Sequence, residues 1–184
     1  MKQNKSLLFI FLLLIVVASV CRVWGFAPQI AMAIFGGAVI SDKKLSFALP
    51  LISMFFSDLL FEVLFTYGYA PYGGFYEGQL TNYILIALVT FVGFWVKGTN
   101  WARVFVGAFA GTTIYFILSN FFVWLSGTGG WARPQTFDGL VMTFIDAIPF
   151  YRNAVLSTLV FSTILFGGHY LLQRFYFERK QQLA

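Results

Sequence analysis

The chain has 184 residues, of which 59% are hydrophobic, 21% are aromatic and only 10% are charged. A soluble domain carries about 25% charged residues, so a soluble globular enzyme is close to excluded, and the same composition excludes a disordered chain. The numbers indicate a protein with several membrane spans, in which lipid replaces water around the apolar faces.

The net charge of +5 has a topological interpretation. The basic residues lie mainly in short segments between apolar runs, which predicts membrane orientation and no nucleic-acid partner. The single cysteine, Cys21, excludes an internal disulfide and a multi-cysteine metal site. Lysines followed by an apolar run also occur in secretory signals, but the next segments are apolar enough to enter a membrane, so we predict a retained first span.

Apolar runs divide the chain into about six predicted transmembrane helices. They cover residues 6–24, 27–41, 45–66, 80–96, 101–125 and 153–175. Most approach the roughly 20 residues that cross a bilayer. The second run is short and rich in small residues, and it is either buried among the others or partly re-entrant. A short apolar stretch before Pro149 predicts an interfacial or re-entrant helix between the last two spans, within a single all-α membrane domain.

Loop charge predicts the orientation of these spans. With the N-terminus inside, nine basic residues lie inside and three lie outside. This asymmetry predicts a multi-pass protein of the bacterial cytoplasmic (inner) membrane with both termini in the cytoplasm. The two long outer segments, 67–79 and 126–152, are the places where we expect functional loops.

Asp58 and Glu62 lie four residues apart on the third predicted span and therefore share one helix face. A carboxylate at membrane depth costs about 2.5–3.5 kcal/mol on insertion scales. Such a residue needs a polar interior or a partner. We therefore predict a ligand-binding or cation-coordinating pair, and the alternative is a structural ion pair with Arg22, Arg133 or Arg152.

Four further polar or aromatic residues lie near the predicted outer face. Asn120 and Trp124 are four residues apart and could form one wall of a pocket, although Trp124 also fits the aromatic belt at a membrane interface. Arg152 and Asn153 begin the last predicted span. Arg152 could clamp an anionic ligand, pair with Asp146 or Asp58, or reach the interface by snorkelling.

Small residues spaced four apart let helix backbones approach closely. In the second run these are Ala27, Ala31, Ala33 and Gly37. Internal packing is the default interpretation, and the alternative is a docking surface for another membrane protein.

Catalytic and cofactor motifs are absent from the sequence. It has no Walker A motif, no HExxH or GxSxG motif, and no Ser/His/Asp set. The single histidine, His169, is a poor basis for a metal site. We therefore expect no enzyme activity, no resident metal and no cofactor.

Four segments of the chain resemble an uncharacterised family of small bacterial integral membrane proteins. They are FAPQIAMAIFGGA at 26–38, LPLISMFFSDLL at 49–60, LSNFFVW at 118–124 and IPFYRN at 148–153. That family is similar to the substrate-binding S components of energy-coupling factor (ECF) transporters. The resemblance implies six helices, cytoplasmic termini, capture of a vitamin-like solute from outside, and docking on a membrane coupling subunit driven by ATPases.

The leading hypothesis is therefore a small-molecule-binding membrane subunit of a transporter. The predicted ligand site contains Asp58, Glu62, Asn120, Trp124, Arg152 and Asn153. The alternatives are a structural or assembly subunit of a membrane complex and a membrane enzyme acting on a lipid substrate.

Overall fold

The computed structural model describes residues 16–22, 25–97, 100–127 and 133–182, with side chains up to residue 175. These residues contain six helices and no strand. The helices are α1 (16–22), α2 (Gln29–Val39), α3 (Lys43–Thr66), α4 (Gln79–Val96), α5 (Trp101–Ser126) and α6 (Phe137–Gln182).

Four helices, α3 to α6, are long and apolar enough to cross a membrane. The bounds of α3, α4 and α5 agree with the predicted third, fourth and fifth spans to within two residues. Their outward faces carry many large apolar side chains, as lipid-facing surfaces do. The fold is therefore that of a helical membrane protein.

The prediction of six spans is not supported. The second predicted span is an 11-residue helix, α2, which at 1.5 Å per residue is roughly 17 Å long and covers about half of a 30 Å hydrocarbon core. Most of the first predicted span, at residues 6–15 and 23–24, lies outside the described residues. Only its helical part at 16–22 is seen.

A separate interfacial or re-entrant helix before the last span, as predicted, is not observed. Residues 137–148 and the predicted span 153–175 belong to one continuous helix, α6. Pro149 lies inside it. Proline removes only one backbone donor and frees one carbonyl of the preceding turn, and membrane helices tolerate this where neighbouring helices pack around the site. Thr136 stabilises the start of α6, because its hydroxyl accepts a hydrogen bond from the Gly139 amide at 3.2 Å.

The short helix α2 lies at the centre of the bundle, in contact with α3, α4, α5 and α6. It crosses α4 where Gly37 faces Gly93. A Cβ on Gly37 would overlap the carbonyl oxygen of Thr90, and one on Gly93 would overlap the carbonyl oxygen of Ile34. The two backbones are therefore in direct contact, an approach that only glycine permits.

Candidate functional site

A cavity of about 400 Å³ lies at the end of the bundle where α2 begins. The irregular segment 25–28, which leads into α2, contributes Gly25 and Ala27 to its lining. Six uncharged polar residues are among those that line it: Gln29, Tyr76, Asn82, Tyr115, Asn153 and Ser157. Ile30, Met54 and Phe150 add apolar wall. A concave site with a few converging polar groups is the usual form of a small-molecule pocket.

Arg22, at the end of α1, also lines the cavity, and its guanidinium pairs with the carboxylate of Asp58 on α3. The Asp58 side chain is fully buried, whereas that of Arg22 is 22% exposed. This pair is the ion pair that the sequence analysis gave as the alternative role for Asp58. Asp58 thereby neutralises Arg22, the one charged residue among the described residues that line the cavity.

Two residues of α4 complete the surroundings of the Asp58 carboxylate. Gln79 Nε2 and Tyr83 Oη each donate a hydrogen bond to its Oδ2 atom at 2.7 Å. Gln79 and Tyr83 are four residues apart, so both reach the carboxylate from one helix face. A buried carboxylate with an arginine and two further donors is fully compensated.

The Arg22 guanidinium also lies over an aromatic side chain. Its central carbon is 5.4 Å from the ring centroid of Phe61. Phe61 in turn stacks on Tyr72 of the loop 67–78, with centroids 5.5 Å apart and planes 10° apart. The cation–π contact holds the guanidinium beside the cavity and links it to the loop.

Glu62 binds the backbone of the loop 67–78. Its Oε2 accepts hydrogen bonds from the amides of Gly74 at 3.0 Å and Phe75 at 3.3 Å. A Cβ on Gly74 would overlap the Asp58 carbonyl oxygen, so the loop backbone lies directly on α3. Glu62 does not line the cavity. In this structure it fastens the loop to α3.

Tyr76, Asn82 and Tyr115 form a chain of hydrogen bonds along one wall of the cavity. Asn82 Nδ2 donates to the Tyr76 hydroxyl, and the Tyr115 hydroxyl donates to Asn82 Oδ1 at 3.1 Å. Burial raises the pKa of the Tyr76 phenol above its ordinary value of 10, against the opposing effects of Asn82 and Arg22. The phenol is therefore neutral at physiological pH.

Asn153 and Ser157 lie one turn apart on α6 and hold the segment 25–28. The Asn153 amide donates to the Gly25 carbonyl, and the Ser157 hydroxyl donates to the Ala27 carbonyl at 3.2 Å. Loop carbonyls inside an apolar bundle need such donors. Asn153 is thus the member of the predicted ligand-binding set that lies directly on this cavity.

Gln29, the first residue of α2, differs from the other polar residues of the wall. It is buried, and neither its Nε2 nor its Oε1 atom has a hydrogen-bond partner in the part of the chain that the structure describes. A buried polar group without a partner costs about 1–3 kcal/mol. Pro28 precedes it and provides no side-chain cap for the first turn of α2.

Asn120 and Trp124 lie away from this cavity. Asn120 Nδ2 donates to the Phe116 carbonyl at 2.7 Å, and Trp124 Nε1 donates to the Pro134 carbonyl at 3.1 Å. Asn120 lines a separate cavity of about 380 Å³ between α5 and α6. Trp124 joins the end of α5 to the chain that leads into α6.

Arg152 is exposed on α6. The partner of Asp146 is instead Arg133, whose Nε and Nη2 atoms lie 3.0 and 2.6 Å from Asp146 Oδ2. The predicted ligand set is therefore distributed over several places, and the structure does not bring its six members together.

The small residues proposed for docking occupy the interior. Ala31, Ala33 and Gly37 are buried and Ala27 is partly buried. They pack within the bundle, and internal packing is the default interpretation given for them in the sequence analysis. Within the described ranges, no group of three or more His, Cys, Asp or Glu side chains could hold a metal ion.

Sequence reasoning missed Gln29, Asn82 and Ser157 as cavity residues. Gln29 gave a signal, because it is the single polar side chain in the run from Ala27 to Ile40. Asn82 and Ser157 gave none, because isolated polar residues in apolar helices commonly bond to their own backbone.

The fold is that of a helical membrane protein, and its candidate site is a half-open pocket lined by polar and apolar residues. A family model described as a family of unknown function (DUF6580) matches residues 2–182. The chain therefore belongs to this family. No curated protein and no solved structure matches the chain.

Proposed function

We propose that this protein is a membrane subunit that binds a small molecule in the cavity above α2. The cavity itself carries the proposal. Its volume of about 400 Å³ falls within the roughly 300–1,000 Å³ that is usual for small-molecule sites. Polar side chains from three long helices converge on it inside a bundle whose outer surface is apolar.

We further propose that binding serves transport. The resemblance to ECF S components supports this step, and a coupling subunit with ATPases would then drive release. The asymmetry of the basic residues supports a bacterial cytoplasmic membrane with both termini in the cytoplasm. In this orientation the cavity lies in the outer half of the membrane, at the end of the bundle where the loop 67–78 contributes Tyr76 to its lining.

Binding without catalysis is the activity that these residues support. The carboxylate nearest the cavity, Asp58, is neutralised by Arg22 and accepts two further hydrogen bonds. Both of its oxygens are therefore already bonded to groups on the chain. An assembly role draws less support than binding, since the small-residue face of α2 is covered by other helices of the same chain.

A cavity-filling variant tests the proposal. Ala154 lines the cavity on α6, and Ala154→Phe would occupy part of its volume. We expect a small-molecule extract of the host cells to raise the Tm of the purified wild-type protein, because a ligand that binds only the folded state stabilises it. Ala154→Phe should lose this rise.

Leu156→Phe is the matched control, since Leu156 lies two residues away on the exposed face of the same helix. It should keep the full rise in Tm. An extract that stabilises Ala154→Phe as much as the control would show that the cavity is not the binding site.

A further inference from the structure

We infer that the ligand of this cavity is a single-chain amphiphile from the bilayer. Its polar head lies in the cavity and its hydrocarbon chain lies in a groove between α5 and α6. The inference rests on the proposed function, and it names the substrate class of the same site. Three observations carry it: the groove adjoins the cavity, the outer half of α5 leaves the groove open, and the two spaces differ in polarity.

The groove consists of two cavities between α5 and α6, of about 190 and 380 Å³. The smaller one shares Tyr115 and Ala154 with the cavity at the start of α2, and it shares Asn120 and Ala147 with the larger one. Phe150 lines all three. It is 73% exposed, so most of its surface lies outside them. The three cavities therefore adjoin one another along α6.

The outer half of α5 leaves this space open. The structure describes α5 in full, and all of its buried residues precede residue 113. On α6, the residues that line the groove include Thr143, Ala147 and Ala154, which are small and share one helix face. Small residues usually let two helices pack closely, whereas here they border a gap.

Aromatic contacts keep α5 and α6 apart on either side of Ala147. The ring centroid of Phe116 on α5 lies 5.6 Å from that of Phe144 and 4.5 Å from that of Tyr151. Phe144 and Tyr151 lie about one helical turn before and after Ala147. The methyl group of Ala147 is much shorter than these rings, so space remains beside it.

Polar side chains along the groove are bonded to their own helices. The hydroxyls of Thr112 and Thr143 donate to carbonyls one turn earlier, at 2.8 and 2.9 Å. Ser119 Oγ and Asn120 Nδ2 both donate to the Phe116 carbonyl, at 3.3 and 2.7 Å. Such local bonds satisfy polar groups within a helix. The groove therefore favours a hydrocarbon chain.

The cavity at the start of α2 has the opposite character. Tyr76, Asn82 and Tyr115 form a chain of hydrogen-bonding groups on its wall, and Arg22 also lines it. A head with hydroxyl or carbonyl groups can exchange hydrogen bonds with such side chains, and a hydrocarbon chain cannot. The two parts of an amphiphile therefore match two different spaces.

The length of the groove matches that of a lipid chain. From Ala154 to Thr143 it follows α6 for roughly 17 Å at 1.5 Å per residue. The chains of one leaflet cover half of a 30 Å hydrocarbon core, or about 15 Å. At the far end of the groove the Asp146 carboxylate is paired with Arg133 and adds no unpaired charge.

A photoactivatable monoacylglycerol tests the inference, since it joins a hydroxyl-bearing head to one chain that carries a diazirine. The protein is placed in phosphatidylcholine nanodiscs that contain the probe as a minor component. After illumination, mass spectrometry measures the number and position of adducts. We expect adducts on the groove-lining peptides of α5 and α6. An excess of unlabelled monoacylglycerol should lower them at least about fivefold, because both compete for one site.

Ala147→Phe fills the groove from α6, because Ala147 lines both groove cavities and not the cavity at the start of α2. It should lose the labelling that competes. Ile148→Phe is the matched control, since Ile148 is 47% exposed and lines neither groove cavity. Val123→Trp narrows the groove from α5, where Val123 is exposed enough to accept a larger ring. It should also lose the labelling, and it decides the question if Ala147→Phe folds poorly.

Asn120→Leu distinguishes a chain from a polar group in the groove. This variant replaces an amide with hydrocarbon of similar size, so a groove that holds a chain should keep wild-type labelling. Loss of labelling in Asn120→Leu would show that a polar group binds there, and it would overturn the assignment of the chain.

The remaining outcomes separate this inference from the proposed function. Adducts that are absent from the groove, that do not compete, or that survive both Ala147→Phe and Val123→Trp indicate contact with bulk lipid only and overturn the inference. If Ala154→Phe nevertheless loses its stabilisation by cell extract, the cavity binds a solute without a chain in the groove, and the proposed function stands. If Ala154→Phe keeps that stabilisation, the proposed function fails as well.

Discussion

The guanidinium of Arg22 and the carboxylate of Asp58 lie 36 positions apart in the chain and pair inside the bundle. This pair joins α1 to α3, and through Gln79 and Tyr83 it extends to α4. It therefore fixes three elements around one neutralised centre beside the cavity. Arg22 at the same time contributes to the cavity wall, so the structural pair and the candidate site share a residue.

Asp58→Asn should destabilise the protein. The substitution leaves the Arg22 guanidinium partly buried without its counter-charge, and breaking a buried pair from one side costs about 3–5 kcal/mol. The free energy of unfolding in detergent, measured by SDS titration, provides the readout.

The double variant Arg22→Met/Asp58→Asn and the two single variants together form a double-mutant cycle. Its loss of unfolding free energy should be at least about 1 kcal/mol smaller than the summed losses of the two single variants, because residues in contact are energetically coupled. Additive losses would show that the two side chains do not interact in the folded protein.

Gly74→Ala should detach the loop 67–78 from α3. The new Cβ overlaps the Asp58 carbonyl oxygen, and overpacking of this kind costs about 1–3 kcal/mol. Limited proteolysis should cut the loop faster in the variant than in the wild type. Gly168→Ala is the control, since its Cβ would meet open space on α6, and its cleavage pattern should be unchanged.

Gly37→Ala distinguishes internal packing from partner docking. Because the added methyl group collides with the α4 backbone at Thr90, we expect less folded protein and a loss of about 1–3 kcal/mol or more in unfolding free energy. Size-exclusion profiles and SDS titration would measure both effects. Normal folding of the purified variant would be evidence against the close α2–α4 crossing.

The proposed orientation can be tested with single cysteines. In a chain that carries Cys21→Ala, Tyr69→Cys lies in the loop 67–78 and Lys44→Cys lies at the opposite end of α3, after the α2–α3 turn. Both parent side chains are exposed. An impermeant maleimide should label Tyr69→Cys in intact cells and Lys44→Cys only after lysis. The reverse pattern would invert the topology.

Composition and apolar runs predicted much of the fold. Runs of about 20 apolar residues between loops predicted the bounds of α3, α4 and α5 almost to the residue, because a bilayer accepts segments according to their hydropathy. The continuous α6 could not be predicted in this way. Proline usually ends a helix in water, and whether Pro149 does so depends on neighbours that the local sequence does not show.

The candidate site was less predictable than the fold. Asp58 was noticeable in the sequence as a carboxylate in an apolar helix. In the structure, three side chains of the protein donate hydrogen bonds to it. Gln29 carries no charge, so burying it in an apolar run costs less free energy than burying a carboxylate. It is therefore a weaker indication of a functional residue. Only the packed structure reveals that Asn82, Asn153 and Ser157 have hydrogen-bond partners on the chain, while the Gln29 amide has none among the described residues.

Native mass spectrometry of the gently purified protein tests the central claim most directly. The account predicts that wild-type protein and Leu156→Phe carry one small molecule per chain and that Ala154→Phe does not, because the new ring occupies the cavity beside Gln29 and Ser157. Identical spectra for the wild type and Ala154→Phe, with a bound molecule in both or in neither, would contradict it.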